Sequence, residues 1–139
     1  MQVTEGATPT AFFGRTFEET MELLEEARDY AAGGSETERR LWQGAEPLSM
    51  GCELTRVTAR LAWIMAWLLT WKAVHAGEIP LDVALGKANR LGGRDICLNE
   101  SSDHSGAGIP PGLADLLDRS RRLYVRVSRL DELAGRSAA

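Results

Sequence analysis

The sequence predicts an all-α protein, an antiparallel up-down three-helix bundle in which a long mobile loop joins the second and third helices. Three long segments repeat apolar residues every three or four positions, which is the period of an amphipathic helix. No stretch of useful length shows the alternation of apolar and polar residues that marks a half-buried strand. The chain has 139 residues, 44% of them hydrophobic and 26% charged, so we expect residues 1–139 to form one domain with one core.

The first predicted helix covers about residues 17–32 and follows a flexible N-terminus at 1–15. Thr16 and Glu19 have the spacing of a capping box, and two glycines at 33–34 can supply the left-handed stop. Its predicted core face consists of Phe17, Met21, Leu24, Ala27 and Ala31. Its other face is acidic, with Glu18, Glu22, Glu25, Glu26 and Asp29. We interpret that acidic face as solvated.

The second predicted helix covers about residues 50–76, after a polar linker with a helical turn near 39–42. Ser49 is a suitable N-cap for it. A heptad seam runs through Leu54, Val57, Leu61, Ile64, Leu68 and Trp71. A second apolar set beside the seam makes the middle of this helix apolar nearly all round, so we expect a second copy of the chain to cover one side. The candidate dimer-interface residues are Trp63, Trp67, Thr70 and Val74.

The third predicted helix begins at Pro111 and ends near residue 134, before a short tail at 135–139. Its seam is Leu113, Leu116, Ser120, Leu123, Val127, Leu130 and Ala134. Between the second and third helices we expect a short helix at 80–90, with Pro80 as its first residue, and then a flexible loop at 92–110. Eight of the 19 residues of that loop are Gly, Ser or Pro, which is typical of a disordered or functional segment.

Neither the N-terminal segment nor the most apolar run indicates a membrane or an export route. The uncharged run at 61–71 has eleven residues, about half of what a membrane-spanning helix needs. Residues 1–9 lack the basic and apolar regions of a secretory signal. We therefore expect a cytoplasmic protein without membrane contact, in which Cys52 and Cys97 are reduced thiols.

No pattern of catalytic or metal-binding residues stands out. His75 and His104 have no cysteine or carboxylate at a spacing that builds a metal site, and the short glycine segments lack the context of a phosphate loop. No nucleophile has a base at a recognisable spacing. We therefore expect a protein that is not an enzyme and carries no cofactor or metal.

Four arginines of the third helix, Arg119, Arg122, Arg126 and Arg129, recur every three or four residues and form a basic stripe. The stripe can bind an acidic partner. The alternative, which we favour, is that Asp115 and Asp118 pair with it along the helix while the rest of its charge faces the acidic first helix. Candidate partner-binding residues are the four stripe arginines together with Arg94 and Asp95 of the loop.

The sequence resembles the RcdA-like (regulator of CtrA degradation) family, also catalogued as the domain of unknown function DUF1465. The resemblance is carried in the second helix by Arg56-Val57-Thr58-Ala59-Arg60-Leu61, Trp67-Leu68-Leu69 and Ala73-Val74-His75-Ala76-Gly77-Glu78-Ile79. The first helix adds Phe17 and Leu23-Leu24-Glu25-Glu26-Ala27-Arg28, and the third adds Ser120, Leu123-Tyr124, Val127 and Leu130-Asp131, entered through Ile109-Pro110-Pro111. It implies a dimeric helical bundle without catalytic activity.

The resemblance also implies an adaptor that helps deliver a cell-cycle regulator to the ClpXP protease, possible partners being ClpXP with its adaptors and a protein substrate. Two alternatives of other classes stay open. One is a small nucleic-acid-associated regulator that uses the arginine stripe, which the net charge of -4 disfavours. The other is a module that binds an apolar small molecule between Trp63, Trp67 and the neighbouring helices.

Overall fold

The structure, a computed structural model, describes the backbone of residues 2–44, 47–98 and 109–138 and the side chains of 13–44, 48–98 and 109–136. The helices are α1 (Gln2–Ala31), α2 (Glu36–Gln43), α3 (Pro47–His75), α4 (Leu81–Ala84), α5 (Arg94–Cys97) and α6 (Pro111–Ala138), with a 3-10 turn at Lys87–Asn89. These described ranges contain no strand, so the predicted all-α class is confirmed.

Three long helices, α1, α3 and α6, contact one another in all three pairs. Ion pairs show that α1 and α6 run in opposite directions, because Glu19 pairs with Arg126 and Glu26 pairs with Arg119. α1 is also antiparallel to α3, since Phe13 near the start of the described side chains lies against His75 at the end of α3. α1 is therefore antiparallel to both of its long neighbours.

The pair of α3 and α6 differs from the predicted up-down order, because these two helices run in the same direction. Arg60 donates hydrogen bonds to the Leu117 carbonyl at 2.9 Å and to the Ser120 hydroxyl at 3.2 Å. Seven residues further along α3, Trp67 donates to Asp131 at 2.9 Å. Residue numbers thus rise together along both helices. The prediction of an antiparallel up-down bundle is wrong for this pair.

A returning connection explains the parallel pair. Short loops force neighbouring helices to be antiparallel, whereas a long crossover can bring the chain back to its starting end. Residues 90–98, which we call the strap, run back along α3 and α6. At one end of the strap Arg90 bonds Asp131 at 2.8 Å, and at the other the Cys97 carbonyl accepts from Arg60 at 2.8 Å.

Part of the predicted flexible loop is therefore helical and packed. α5 lies inside the range 92–110, and Cys97 within it is fully buried. The remaining residues of the predicted loop that the structure describes are 92–93, 98 and 109–110, whereas 99–108 lie outside the described residues.

The first two long helices begin earlier in the sequence than predicted. α1 begins at Gln2, within the segment predicted to be flexible. Thr16 lies inside α1, where it is buried and its carbonyl accepts a hydrogen bond from the Thr20 hydroxyl at 2.7 Å. The predicted capping box is consequently not the start of the helix. Ser49 likewise lies within α3, which begins at Pro47.

The core follows the predicted seams of α3 and α6 more closely than that of α1. Buried seam residues are Val57, Leu61, Ile64, Leu68 and Trp71 in α3 and Leu113, Leu116, Ser120, Leu123 and Val127 in α6. Among the α1 side chains that the structure describes, which begin at Phe13, the buried ones are Thr16, Thr20, Leu23 and Ala27. Met21 and Ala31, which we predicted to be core residues, are exposed. Two threonines that we did not assign to the core are therefore buried in α1.

Glycines terminate the first two long helices, and the stop after the first was predicted. Gly33 and Gly34 follow α1 with positive φ values of 136° and 55°, and Gly77 follows α3 with a φ of 77°. The predicted turn near 39–42 is α2, which Ser35 caps by accepting from the Glu38 amide at 3.2 Å. The predicted short helix at 80–90 is divided into α4 and the 3-10 turn.

Candidate interaction surfaces

The arginine stripe of α6 is partly occupied by contacts within the chain. Arg119 donates to Glu26 of α1 at 2.6 and 2.9 Å and to Asp115 of its own helix at 3.0 Å. Arg126 donates to Glu19 of α1. These contacts place two carboxylates of α1, Glu19 and Glu26, against two of the four stripe arginines. Arg119 and Arg126 thus connect helices, in line with the alternative that we favoured.

Electrostatics along this contact agree with its geometry. Hydrogen bonding to Arg119 holds the pKa of the Glu26 carboxyl below its ordinary value. The same contact, with help from Asp115, raises the pKa of Arg119. Each partner therefore stabilises the charged form of the other.

The other two stripe arginines remain on the surface. Arg122 pairs with Asp118 of the same helix at 2.6 Å, and about two thirds of each side chain is exposed. Arg129 is exposed and forms no ion pair with the part of the chain whose side chains are described. Only Arg122 and Arg129 of the stripe are thus placed to meet a partner without first releasing α1.

The strap holds the remaining predicted contact residues, Arg94 and Asp95. Arg94 reaches Glu132 of α6 at 3.3 Å, with most of its side chain in solvent, and also approaches the Ser128 hydroxyl at 3.4 Å. Asp95 is exposed, and Ile96 beside it is 62% exposed. Asp95 and Ile96 are therefore available at the surface, whereas Arg94 attaches the strap to α6.

Buried polar side chains of α3 and α6 form hydrogen bonds to the backbone of the strap. The Tyr124 hydroxyl donates to the Gly92 carbonyl at 2.6 Å, and burial raises the pKa of Tyr124 to about 12. The Arg60 guanidinium donates to the Cys97 carbonyl and is only 4% exposed, and this burial lowers the pKa of Arg60 to about 10. Burial also raises the pKa of the Cys97 thiol. Both cysteines are free thiols, with Cys52 exposed.

The tryptophans predicted at the dimer interface occupy different environments. Trp67 is 2% exposed, and its indole nitrogen donates to Asp131, so Trp67 belongs to the core and has no surface to offer a second copy or a ligand. Trp63 is 43% exposed and lies close to Gly92 and Gly93 of the strap. Thr70 and Val74 are half-buried.

One side of α3 presents only uncharged residues to the surface. At 100° per residue these positions fall within about a third of the helix circumference. We call this stripe the uncharged face of α3, and it consists of Leu48, Cys52, Thr55, Ala59, Ala62, Trp63, Ala66, Leu69, Thr70 and Ala73. Leu48 is 74% exposed and Leu69 is 51% exposed. Sequence reasoning missed Ala62 and Leu69, although the uncharged run at 61–71 already contained the signal.

Neither metal clusters nor membrane spans appear in the described ranges. The described side chains contain no group of three or more histidines, cysteines or carboxylates that could hold a metal ion, and His104 lies outside them. No described helix is both long enough and apolar enough to cross a bilayer.

Comparison with known proteins places the chain in a family. Residues 4–139 match the family described as "Protein of unknown function (DUF1465)". Neither the curated proteins nor the solved structures contain a match to the chain. Because the match covers nearly the whole chain, the chain belongs to the DUF1465 family.

Proposed function

We propose that this member of the DUF1465 family is a non-enzymatic adaptor for protein–protein interaction, and that it works as a homodimer. The observation that carries the proposal is the uncharged face of α3. A continuous exposed apolar stripe of this kind marks an interaction site on a protein that otherwise has 26% charged residues. We infer that this face is the subunit interface.

A second copy suits this face better than an unrelated partner does. In a two-fold dimer the same patch forms both sides of the contact, so the patch must be complementary to itself. An uncharged stripe meets that condition because it brings no like charges together. The alanines at 59, 62 and 66 allow two helices to approach closely. Leu48 supplies an apolar side chain near the start of the stripe, and Leu69 supplies one at its edge.

The proposed partners come from the resemblance to the RcdA-like family. We infer that the dimer acts in the cytoplasm in regulated proteolysis and assists delivery of a cell-cycle regulator to ClpXP and its adaptors. No catalytic step, cofactor or metal forms part of this role. We propose Arg122, Arg129 and Asp95 as the contact residues, because Arg119, Arg126 and Arg94 each pair with another segment of the chain, whereas the pair of Arg122 with Asp118 stays within α6.

A reconstituted degradation assay tests the delivery role. Purified ClpXP, its adaptors and the labelled cell-cycle regulator are incubated with and without the full chain, and we expect the chain to raise the rate of degradation. The double variant Arg122→Glu/Arg129→Glu should lose that stimulation while it remains folded. Arg39→Glu, on exposed α2, is the matched control and should stimulate normally. An unchanged degradation rate in the presence of the folded wild-type chain would refute the delivery role.

A further inference from the structure

A groove between α1 and α3 has the size of a small-molecule site. It lies where α3 ends and measures about 460 Å³, within the range of about 300–1,000 Å³ that is usual for ligand pockets. The groove is on the side of α3 that packs against α1. It is therefore separate from the uncharged face, and nothing in the proposed adaptor role uses it.

The walls of the groove are apolar and aromatic. Phe13 and Phe17 of α1 face Leu68 of α3, which is 2% exposed. Phe13 is held in place by stacking on Trp71, with ring centroids 5.9 Å apart and planes inclined by 8°. The Trp71 indole nitrogen is buried and has no hydrogen-bond partner in the described part of the chain. These walls suit an alkyl or aryl group.

The rim of the groove carries Lys72, which pairs with none of the described carboxylates. The Lys72 ammonium lies 4.3 Å from the centroid of the Phe17 ring, a cation–π arrangement that leaves N–H donors available on its other side. No described carboxylate forms an ion pair with Lys72, and this includes Glu18 on the same rim. His75, whose ring lies 5.6 Å from Phe13, supplies a second polar group.

We propose that this groove binds a small amphiphile, an alkyl or aryl monocarboxylate. Its tail lies against Phe13, Phe17 and Leu68, and its carboxylate pairs with Lys72. Charge complementarity carries the choice of ligand, because an ammonium at the edge of an apolar groove that pairs with none of the described carboxylates matches a ligand with one negative charge and an apolar tail. The volume lies in the usual range for a small-molecule site, and this inference does not depend on the proposed dimer or on its partners.

Calorimetric titration of the full chain with sodium decanoate tests this site. We expect one decanoate to bind per chain. Lys72→Met should weaken decanoate binding by about tenfold or more, because it removes a charge-assisted contact, and should leave decanol binding unchanged. Lys87→Met, at the other lysine of the chain, is the matched control and should bind like the wild type.

A second pair of variants tests the same site without altering its charge. A Cβ at Gly14, on the wall of the groove, would meet no atom within 4 Å. Gly14→Phe should therefore fold, fill the groove and abolish decanoate binding, whereas Gly14→Ala should preserve it. Circular dichroism of both variants confirms that the helices are intact.

Five outcomes would overturn the proposal, four of them in the binding experiments. The first is that titration of the wild-type protein with decanoate gives no heat of binding, and the second is that an apolar peptide gives heat of binding where decanoate gives none. The third is that the Lys72→Met and Lys87→Met variants bind decanoate with equal affinity. The fourth is that Gly14→Phe binds decanoate normally. Conversion of a dimer to a monomer by Gly14→Phe, measured by light scattering, would also overturn it, because a second copy would then be the occupant.

Discussion

Arg119 makes more contacts between the long helices than any other member of the stripe. It donates two hydrogen bonds to Glu26 on α1 and one to Asp115 on its own helix. The pair between Arg122 and Asp118, in contrast, stays entirely within α6. We expect Arg119→Ala to lower the free energy of unfolding by about 1 kcal/mol, since solvent screens these half-exposed groups. Arg122→Ala should cost less than about 0.5 kcal/mol. Urea denaturation followed by circular dichroism measures both, and equal losses would contradict the placement of Arg119.

Acid should reduce the contribution of Arg119. The pKa of Glu26 is lower in the folded chain than its ordinary value. A lowered pKa gives stability that is present above the unfolded pKa and is lost as the pH falls through the folded pKa. The stability difference between wild type and Arg119→Ala should therefore shrink between about pH 6 and about pH 3. With Glu26→Gln as the background, that pH dependence should be much weaker. A difference that stays constant over this range would show that the pair does not titrate as described.

At the residue scale, periodicity predicts burial where the buried side chains are apolar. The seams of α3 and α6 follow it, because their core positions are mostly Leu, Val and Ile. It fails in α1, where Thr16 and Thr20 are buried. The Thr20 hydroxyl is satisfied by a carbonyl one turn earlier, which lets a polar residue enter the core. Sequence pattern alone counts such a threonine as a surface residue.

At the scale of elements, the strap depends on glycine at its contact with α3. Gly93 has a φ of 77°, and a Cβ there would lie 2.2 Å from the Trp63 indole nitrogen. We expect Gly93→Ala to lower the free energy of unfolding by about 1–3 kcal/mol. Adding Trp63→Ala should recover the steric part of this loss and leave the part due to backbone strain.

Gly14→Ala is the control for the strap variants, because Gly14 lies in α1 with open space around it. It should leave the free energy of unfolding unchanged or raise it by up to about 1 kcal/mol. Thermal and urea denaturation of the single and double variants give the comparison. A Gly93→Ala protein as stable as wild type would mean that the strap does not pack against Trp63.

The composition of the strap did not predict that this segment packs against the long helices. The range 92–110 is rich in Gly, Ser and Pro, and local sequence of that kind is typical of a loop. What fixes the strap is distant in sequence, namely the Tyr124 hydroxyl on the Gly92 carbonyl and Arg60 on the Cys97 carbonyl. Neither contact produces a local periodic pattern.

For the whole molecule, the number of long helices was predictable but their directions were not. Helical periodicity identifies each long segment separately and contains no information on how α3 and α6 are oriented. The parallel pair depends on the path of the connection after α3, which returns through the strap with Arg90 at Asp131 and Cys97 at Arg60. The uncharged face was partly predictable, because an apolar surface on all sides of one helix indicates a second partner.

The central proposal is that the uncharged face of α3 joins two copies of the chain, and the molecular mass in solution tests it most directly. Sedimentation equilibrium at micromolar concentration should give twice the 15.2 kDa chain mass for the wild type. Ala66→Glu, which places a charge in the middle of that face, should give one chain mass with an unchanged helical spectrum. Ala114→Glu, on the exposed side of α6, is the matched control and should remain a dimer. A single chain mass for the wild type, or an Ala66→Glu protein that stays dimeric, would contradict the proposal.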